Sequence, residues 1–178
     1  MLFQIQEALE AVRDFLELGG GVLVLITLLV FFMWALILER WLYLKTRLKA
    51  EAKALAGKWN ERSDHTSWNA QQMRHSLVAE VDWNARKGID VIKTCVALCP
   101  LLGLLGTVTG MIEVFEVMAV AGTGNARSMA AGVSKATVPT MAGMVAAISG
   151  LFPSIYLERQ AAQLSGEFED EVAAANNS

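Results

Sequence analysis

Three long stretches without a charged residue constrain the fold of this chain more than any other feature. They cover residues 18–38, 94–112 and 136–157, and each is close to the roughly 20 apolar residues that a helix needs to cross a bilayer. The first stretch has no polar face, which disfavours a core helix of a soluble domain. Only 19% of the residues are charged, against about a quarter in a soluble domain. The sequence therefore predicts an all-α integral membrane protein with three transmembrane helices.

The residues around these stretches divide the rest of the chain. The glycines 19–21 are expected to break the N-terminal helix. Basic residues soon after the first stretch, such as Lys45, Arg47 and Lys49, mark its cytoplasmic end, so the N-terminus is predicted to lie outside and the C-terminus in the cytoplasm. The predicted segments are an amphipathic outer-surface helix (1–17), transmembrane helix 1 (18–43), a small cytoplasmic helical hairpin (44–93), transmembrane helix 2 (94–120), an outer turn (121–127), transmembrane helix 3 (128–157) and a cytoplasmic tail (158–178).

The hairpin and the tail are the regions outside the membrane for which the pattern gives detail. Within the hairpin, helices are predicted at 44–62 and 69–93, with a turn at 63–67. Three tryptophans are expected either to pack this hairpin or to form a subunit contact; they are Trp59, Trp68 and Trp83. The tail is predicted to be a helix that frays into disorder.

Small residues recur on one side of the second and third spans. Gly103, Gly106 and Gly110 follow one another at helical spacings of three and four. A stripe of small residues lets two helix backbones approach closely in lipid. The third span carries a similar set, namely Gly143, Ala147 and Gly150. We therefore predict helix packing along these stripes, with kinks at the two prolines, Pro100 and Pro139.

Ionisable groups in or near a span are costly and suggest function. The candidates are Glu113, Glu116 and Lys135. With a turn centred near residues 123 and 124, the rise per residue places Thr107 level with Thr140, and Glu113 level with Ser134 and Lys135. We hypothesise an ion pair between Glu113 and Lys135. The alternative is that both side chains snorkel to the outer interface.

Other chemistry has little support in the sequence. Cys95 and Cys99 are one helical turn apart inside an apolar stretch and are interpreted as small apolar fillers. His65 and His75 lack companion ligands at metal spacing. No nucleophile–base pair, phosphate loop or base-reading motif is found. The sequence thus predicts no enzyme, cofactor, metal or nucleic-acid partner.

Two motifs carry a family resemblance over residues 95–157. The stretch C-P-L-L-G-L-L-G-T-V-T-G at 99–110 resembles the A-P-L-L-G-L-L-G-T-V-x-G signature of the ExbB/TolQ/MotA proton-channel family. The stretch at 132–150 resembles that family's G-I-S-E-A-L-x-x-T-x-x-G-L-x-x-A-I-P segment. The short, three-span layout is most similar to ExbB. The family's two pore threonines match Thr107 and Thr140, and its pore-facing Glu position is occupied by Lys135.

The resemblance implies a function that depends on further copies of the chain and on partner proteins. It implies a ring, a homopentamer, in the bacterial inner membrane, with a pore lined by Thr107, Thr140, Thr137, Ser134 and Lys135. It also implies an ExbD-like partner whose helix brings an Asp into the pore, and a TonB-like partner that uses the proton-motive force in outer-membrane transport. The alternatives are a TolQ-like stator for envelope maintenance and a non-conducting membrane scaffold. A MotA-like stator is disfavoured because it usually has four spans.

Overall fold

The computed structural model describes residues 2–60, 67–121 and 126–174, and the secondary structure in these residues is helical. The α-helices are α1 (Leu2–Tyr43), α2 (Lys49–Asn60), α3 (Trp68–Arg86), α4 (Ile89–Ala121) and α5 (Ala126–Ala174), and a π-helical segment, Leu44–Leu48, joins α1 to α2. Three stretches are long and apolar enough to cross a membrane, Gly20–Trp59, Trp68–Ala119 and Gly132–Ala174. For the described residues, the prediction of an all-α protein with three helical stretches able to span a membrane is confirmed.

Some predicted features fall outside the described residues. These are most of the turn predicted at 63–67, together with His65, most of the outer turn predicted at 121–127, and the last four residues of the tail.

Glycine 20 interrupts the helical path of α1. Its φ is 63° and its ψ is −163°, a conformation that is essentially restricted to glycine. The break predicted within the three consecutive glycines is therefore confirmed, and it falls on the middle one.

The boundary between α3 and α4 differs from the predicted one. The second hairpin helix, expected to end at residue 93, ends at Arg86, and α4 begins at Ile89. Gly88 has a φ of 84°, a left-handed conformation that commonly ends helices because glycine has no Cβ to clash. The Lys87 N–H donates to the Trp83 carbonyl at 2.9 Å. The sequence does carry a local signal for this break, which the prediction missed: Gly88 follows two basic residues, Arg86 and Lys87, an arrangement that is common at helix C-termini.

The third span and the tail also differ from the prediction, since they form one helix. α5 continues without interruption through the expected boundary at 157 to Ala174. Residues of this continuation are buried, including Phe168 and Val172 at 2% and 0% exposure. Tertiary packing therefore keeps the tail helical through Ala174.

The described chain forms two compact units. The first comprises the residues up to Trp34 together with Thr94–Leu151. Its core is formed by Leu23 and Ile26 of α1, Cys99 of α4 and Ala146 of α5. Large apolar side chains of the same unit point outward, among them Phe31 at 76% and Val145 at 68% exposure. Such apolar surfaces require a lipid or a subunit to cover them.

The second unit comprises Ala35–Lys93 and the chain from Phe152 onward. Its core joins three helices and consists of Ala56, Trp59, Ala70, Val81, Phe168 and Val172. Ser67 caps α3, since its Oγ accepts from the Ala70 N–H at 3.2 Å. Of the three tryptophans expected in this region, Trp59 is buried, whereas Trp68 and Trp83 are exposed in the protomer. The packing alternative therefore holds for Trp59, and a subunit contact stays a prediction for the other two.

Candidate functional site

The backbones of α4 and α5 come into direct contact at two glycines. A Cβ atom on Gly143 would lie only 2.5 Å from the Cys99 carbonyl oxygen. A Cβ atom on Gly103 would lie 3.0 Å from the Cα of Thr140. No other residue type fits at such distances without moving a helix, so these glycines set the spacing between α4 and α5.

The small-residue stripe continues toward the end of the unit where Gly20 lies. A Cβ on Gly106 would lie 2.3 Å from the Pro139 Cβ, and one on Gly110 would lie 2.6 Å from the Ala136 Cβ. These pairings agree within about one helical turn with the register expected from the rise per residue. α4 runs through Pro100 and α5 through Pro139 as continuous helices, and the kinks stay a prediction.

The other predicted packing residues of α5 face α1 as well as α4. A Cβ on Gly150 would lie 2.4 Å from the Met33 Sδ and 2.9 Å from the Val96 Cγ2, and Met33 is completely buried. Ala147 packs against the core formed around Leu23 and Ile26. Sequence reasoning missed Met33, because a position on a uniformly apolar helix does not indicate which neighbouring helix its side chain contacts.

The hydroxyl groups fall into two classes. Thr140 Oγ1 donates to the Gly103 carbonyl at 2.9 Å and so links the two helices. Thr107 Oγ1 donates to the Leu104 carbonyl at 2.7 Å, and Thr137 Oγ1 donates to the Ser134 carbonyl at 2.8 Å, both within their own helices. Thr107 is half-buried, and Ser134 and Thr137 are exposed on the protomer. The side chains of Thr107, Ser134 and Thr137 are therefore at least partly accessible in the protomer.

Glu113 and Lys135 both line a cavity of about 250 Å³. It lies between Gly20 and Gly21 of α1, Thr109 of α4 and the neighbouring part of α5. Glu113 and Lys135 are the two charged side chains in its lining. Among the described residues they form no ion pair within 4.0 Å, so the ion pair stays a prediction. Sequence reasoning missed the contribution of α1, because the pairing of distant segments leaves no local pattern.

Metal and thiol chemistry find no geometric support in the described part of the chain. Within it, no group of three His, Cys, Asp or Glu side chains could hold a metal ion. Cys95 and Cys99 are both buried, and the Cys99 thiol donates to the Cys95 carbonyl at 3.2 Å. Both cysteines pack as small apolar residues.

The three long apolar helices define a multi-pass membrane protein of the all-α class. The chain matches the MotA/TolQ/ExbB proton channel family over residues 43–170. It therefore belongs to that family, and the three apolar helices agree with an inner-membrane location.

Several relatives carry the name of biopolymer transport proteins. The chain is 45% identical over 69 residues to putative biopolymer transport protein ExbB-like 1 of Synechocystis sp., a match that covers 37% of this chain and 27% of that relative. It is 38% identical over 76 residues to ExbB-like 3 of the same organism, covering 39% of this chain and 36% of the relative. It is 26% identical over 176 residues to ExbB-like 1 of Helicobacter pylori, covering 88% of this chain and 92% of the relative. The likeness therefore lies on the ExbB side of the family.

Proposed function

We propose that this chain is the ring-forming subunit of a proton-driven motor that energises transport across the outer membrane. The observation that carries the proposal is the cavity beside α4 and α5, where Glu113 and Lys135 face a shared space in an otherwise charge-free wall. Ionisable groups at membrane depth are expensive and by default mark an ion pathway. Thr107, Ser134 and Thr137 supply the polar groups on the same two helices.

The titrating carboxylate in this proposal comes from a partner. The three charge-free stretches contain no acidic side chain, so an ExbD-like helix brings an Asp into a passage formed by several copies of α4 and α5. Lys135 holds that partner Asp in its ionised form until a proton arrives. A proton that crosses 100 mV releases about 2.3 kcal/mol. A few protons are therefore enough to move a weakly held helix and, through it, a TonB-like partner.

The proposed assembly is a homopentameric ring with the N-terminus in the periplasm and the C-terminus in the cytoplasm. The unit built from α2, α3 and the end of α5 then lies on the cytoplasmic side, as the basic residues after the first span indicate. The exposed apolar side chains of the first unit contact lipid or neighbouring copies.

Proton flux into liposomes tests the proposal. With an ExbD-like partner present, we expect Thr107→Val to lower the flux about tenfold. The reason is that the loss of one hydrogen-bonding group costs about 1–1.5 kcal/mol, and about 1.4 kcal/mol corresponds to a tenfold change. Thr27→Val is the matched control, since Thr27 is an exposed threonine of α1 bonded to its own helix at Leu23. Equal flux in the two variants contradicts a pore at Thr107.

A non-conducting scaffold is the second candidate, and one observation favours it. Lys135 stands where the family motif carries Glu, and a cation opposes proton entry. The scaffold predicts no flux from the natural protein with its partner, and flux only in Lys135→Glu. The motor predicts flux from the natural protein. A TolQ-like role in envelope maintenance predicts the same proton flux as the motor. Deletion of the gene distinguishes the two roles: a TolQ-like role predicts loss of envelope integrity, whereas the motor predicts loss of ligand uptake.

A further inference from the structure

One side of α1 changes character in a fixed order where the first charge-free stretch ends. Leu38, Trp41, Lys45 and Lys49 follow one another at spacings of three and four residues, and all four are exposed on the protomer. The last three line one cavity, so they share a face. The order along this face is apolar, aromatic and then basic. A helix that passes from the hydrocarbon of a bilayer to its headgroups has this order of side chains.

The end of the third charge-free stretch, in α5, shows a matching order. Phe152 and Tyr156 are exposed and Gln160 is half-buried, at spacings of four residues. Tyr156 and Gln160 line the same cavity as Trp41. Spans one and three run in the same direction, because a single span separates them. The two helices therefore change from apolar to polar toward the same side of the membrane.

The cavity between these two helix faces has a volume of about 180 Å³. Three leucines form its apolar part, namely Leu44, Leu157 and Leu164. Its charged side chains, among the residues that the structure describes, are Lys45 and Lys49. Within that part of the chain neither lysine forms an ion pair within 4.0 Å. The cavity therefore has an excess of positive charge above an apolar floor.

The acidic side chains that lie closest in the sequence are engaged elsewhere. Glu51 accepts from the Tyr43 hydroxyl at 3.3 Å. Glu158 pairs with Lys93 at 2.6 Å, and Glu39 lines a different cavity. Since these carboxylates have other surroundings, an anion from outside the protomer would complement the charge of the cavity.

The backbone that carries this face has an unusual conformation. Leu44 and Lys45 belong to the π-helical segment Leu44–Leu48, and Lys49 follows it directly. π-helical turns are rare and are frequently found at functional sites. Leu44 and Leu48 are both buried, so the segment is packed against the rest of the unit. The positions from which the two lysines extend are therefore fixed.

We propose that this cavity binds the headgroup of an anionic phospholipid. Lys45 and Lys49 contact its phosphate, and the Trp41 ring, 4.9 Å from the Lys45 Nζ, lies at the level where acyl chains meet headgroups. The acyl chains lie along exposed Leu38 and Phe152. The site shares no lining residue with the cavity of Glu113 and Lys135, so it does not depend on proton conduction.

The test measures lipid affinity of the full-length protein by native mass spectrometry. Phosphatidylglycerol and, separately, phosphatidylethanolamine are titrated into protein in a neutral detergent. The main variant combines Lys45→Ala and Lys49→Ala. The matched control combines Lys53→Ala and Lys58→Ala, which removes the same charge from two exposed lysines of α2 outside the cavity lining. Lys45→Gln with Lys49→Gln keeps long polar side chains and replaces the main variant if circular dichroism shows loss of helix.

We expect the natural protein to prefer phosphatidylglycerol, because the ammonium group of phosphatidylethanolamine is repelled by the lysines. The main variant should weaken phosphatidylglycerol binding about 25-fold, or about fivefold for each basic residue near a headgroup, and the control should bind like the natural protein. Equal affinity for the two lipids, or equal loss in the two double variants, overturns the proposal. The same spectra count the chains in each assembly. A change in that count without a change in lipid affinity would assign the cavity to a neighbouring copy and also overturn the proposal.

Discussion

Gly143→Ala tests whether the spacing of α4 and α5 is set by backbone contact. The added Cβ would lie 2.5 Å from the Cys99 carbonyl oxygen and 3.2 Å from the Gly103 Cα. An ordinary carbon–oxygen contact is about 3.3 Å, so α5 has to move away from α4 by about 0.8 Å. The same shift would stretch the Thr140 to Gly103 hydrogen bond from 2.9 Å to about 3.7 Å, which is too long for a hydrogen bond.

The expected cost combines three effects. Overpacking a close contact costs about 1–3 kcal/mol, the lost hydrogen bond costs about 0.5–1.5 kcal/mol, and alanine's better helix propensity returns about 0.5–1 kcal/mol. We therefore expect Gly143→Ala to lower the free energy of unfolding by about 0.5–4 kcal/mol. The assay is unfolding in mixed micelles of dodecyl maltoside and sodium dodecyl sulfate, followed by circular dichroism. The protein concentration is held fixed because assembly contributes to the apparent stability.

Gly166→Ala is the matched control, since Gly166 lies in the same helix and its Cβ would meet nothing within 4 Å. It is expected to leave the stability unchanged or to raise it by up to about 1 kcal/mol. If Gly143→Ala proves as stable as Gly166→Ala, the close approach of α4 and α5 described above is wrong.

Three further changes test other parts of the fold. Gly20→Ala should cost about 1–3 kcal/mol because of the backbone conformation, whereas Gly21→Ala, with nothing within 4 Å of its Cβ, should be neutral or stabilising in the same unfolding assay. Trp59→Ala should cost about 3–5 kcal/mol by leaving a cavity, with Trp59→Phe milder; equal midpoints would place Trp59 outside a packed core. Lys93 and Glu158 form a 2.6 Å ion pair with side chains 42% and 46% exposed, so a double-mutant cycle should give only a weak coupling that weakens further in salt. A strong coupling that does not respond to salt refutes this.

The sequence by itself determined the helical class, the three membrane-spanning stretches and the small-residue stripes. The reason is physical: a bilayer demands about 20 consecutive apolar residues and leaves close packing to small side chains. Both requirements act on neighbouring residues, so they can be read along the chain. The break at Gly20 was predictable for the same reason, because three adjacent glycines favour no regular conformation.

The tertiary structure alone decided which side chains share a space. A helix that is apolar all round has no pattern that fixes its rotation, so the partner of Gly150, which is Met33, could not be predicted. The cavity beside Glu113 and Lys135 requires Gly20 and Gly21 of α1, and the contact of Arg40 with Asn84 and Ala85 joins segments 44 and 45 residues apart. Such contacts follow from the packing of helices against one another, which local sequence does not encode.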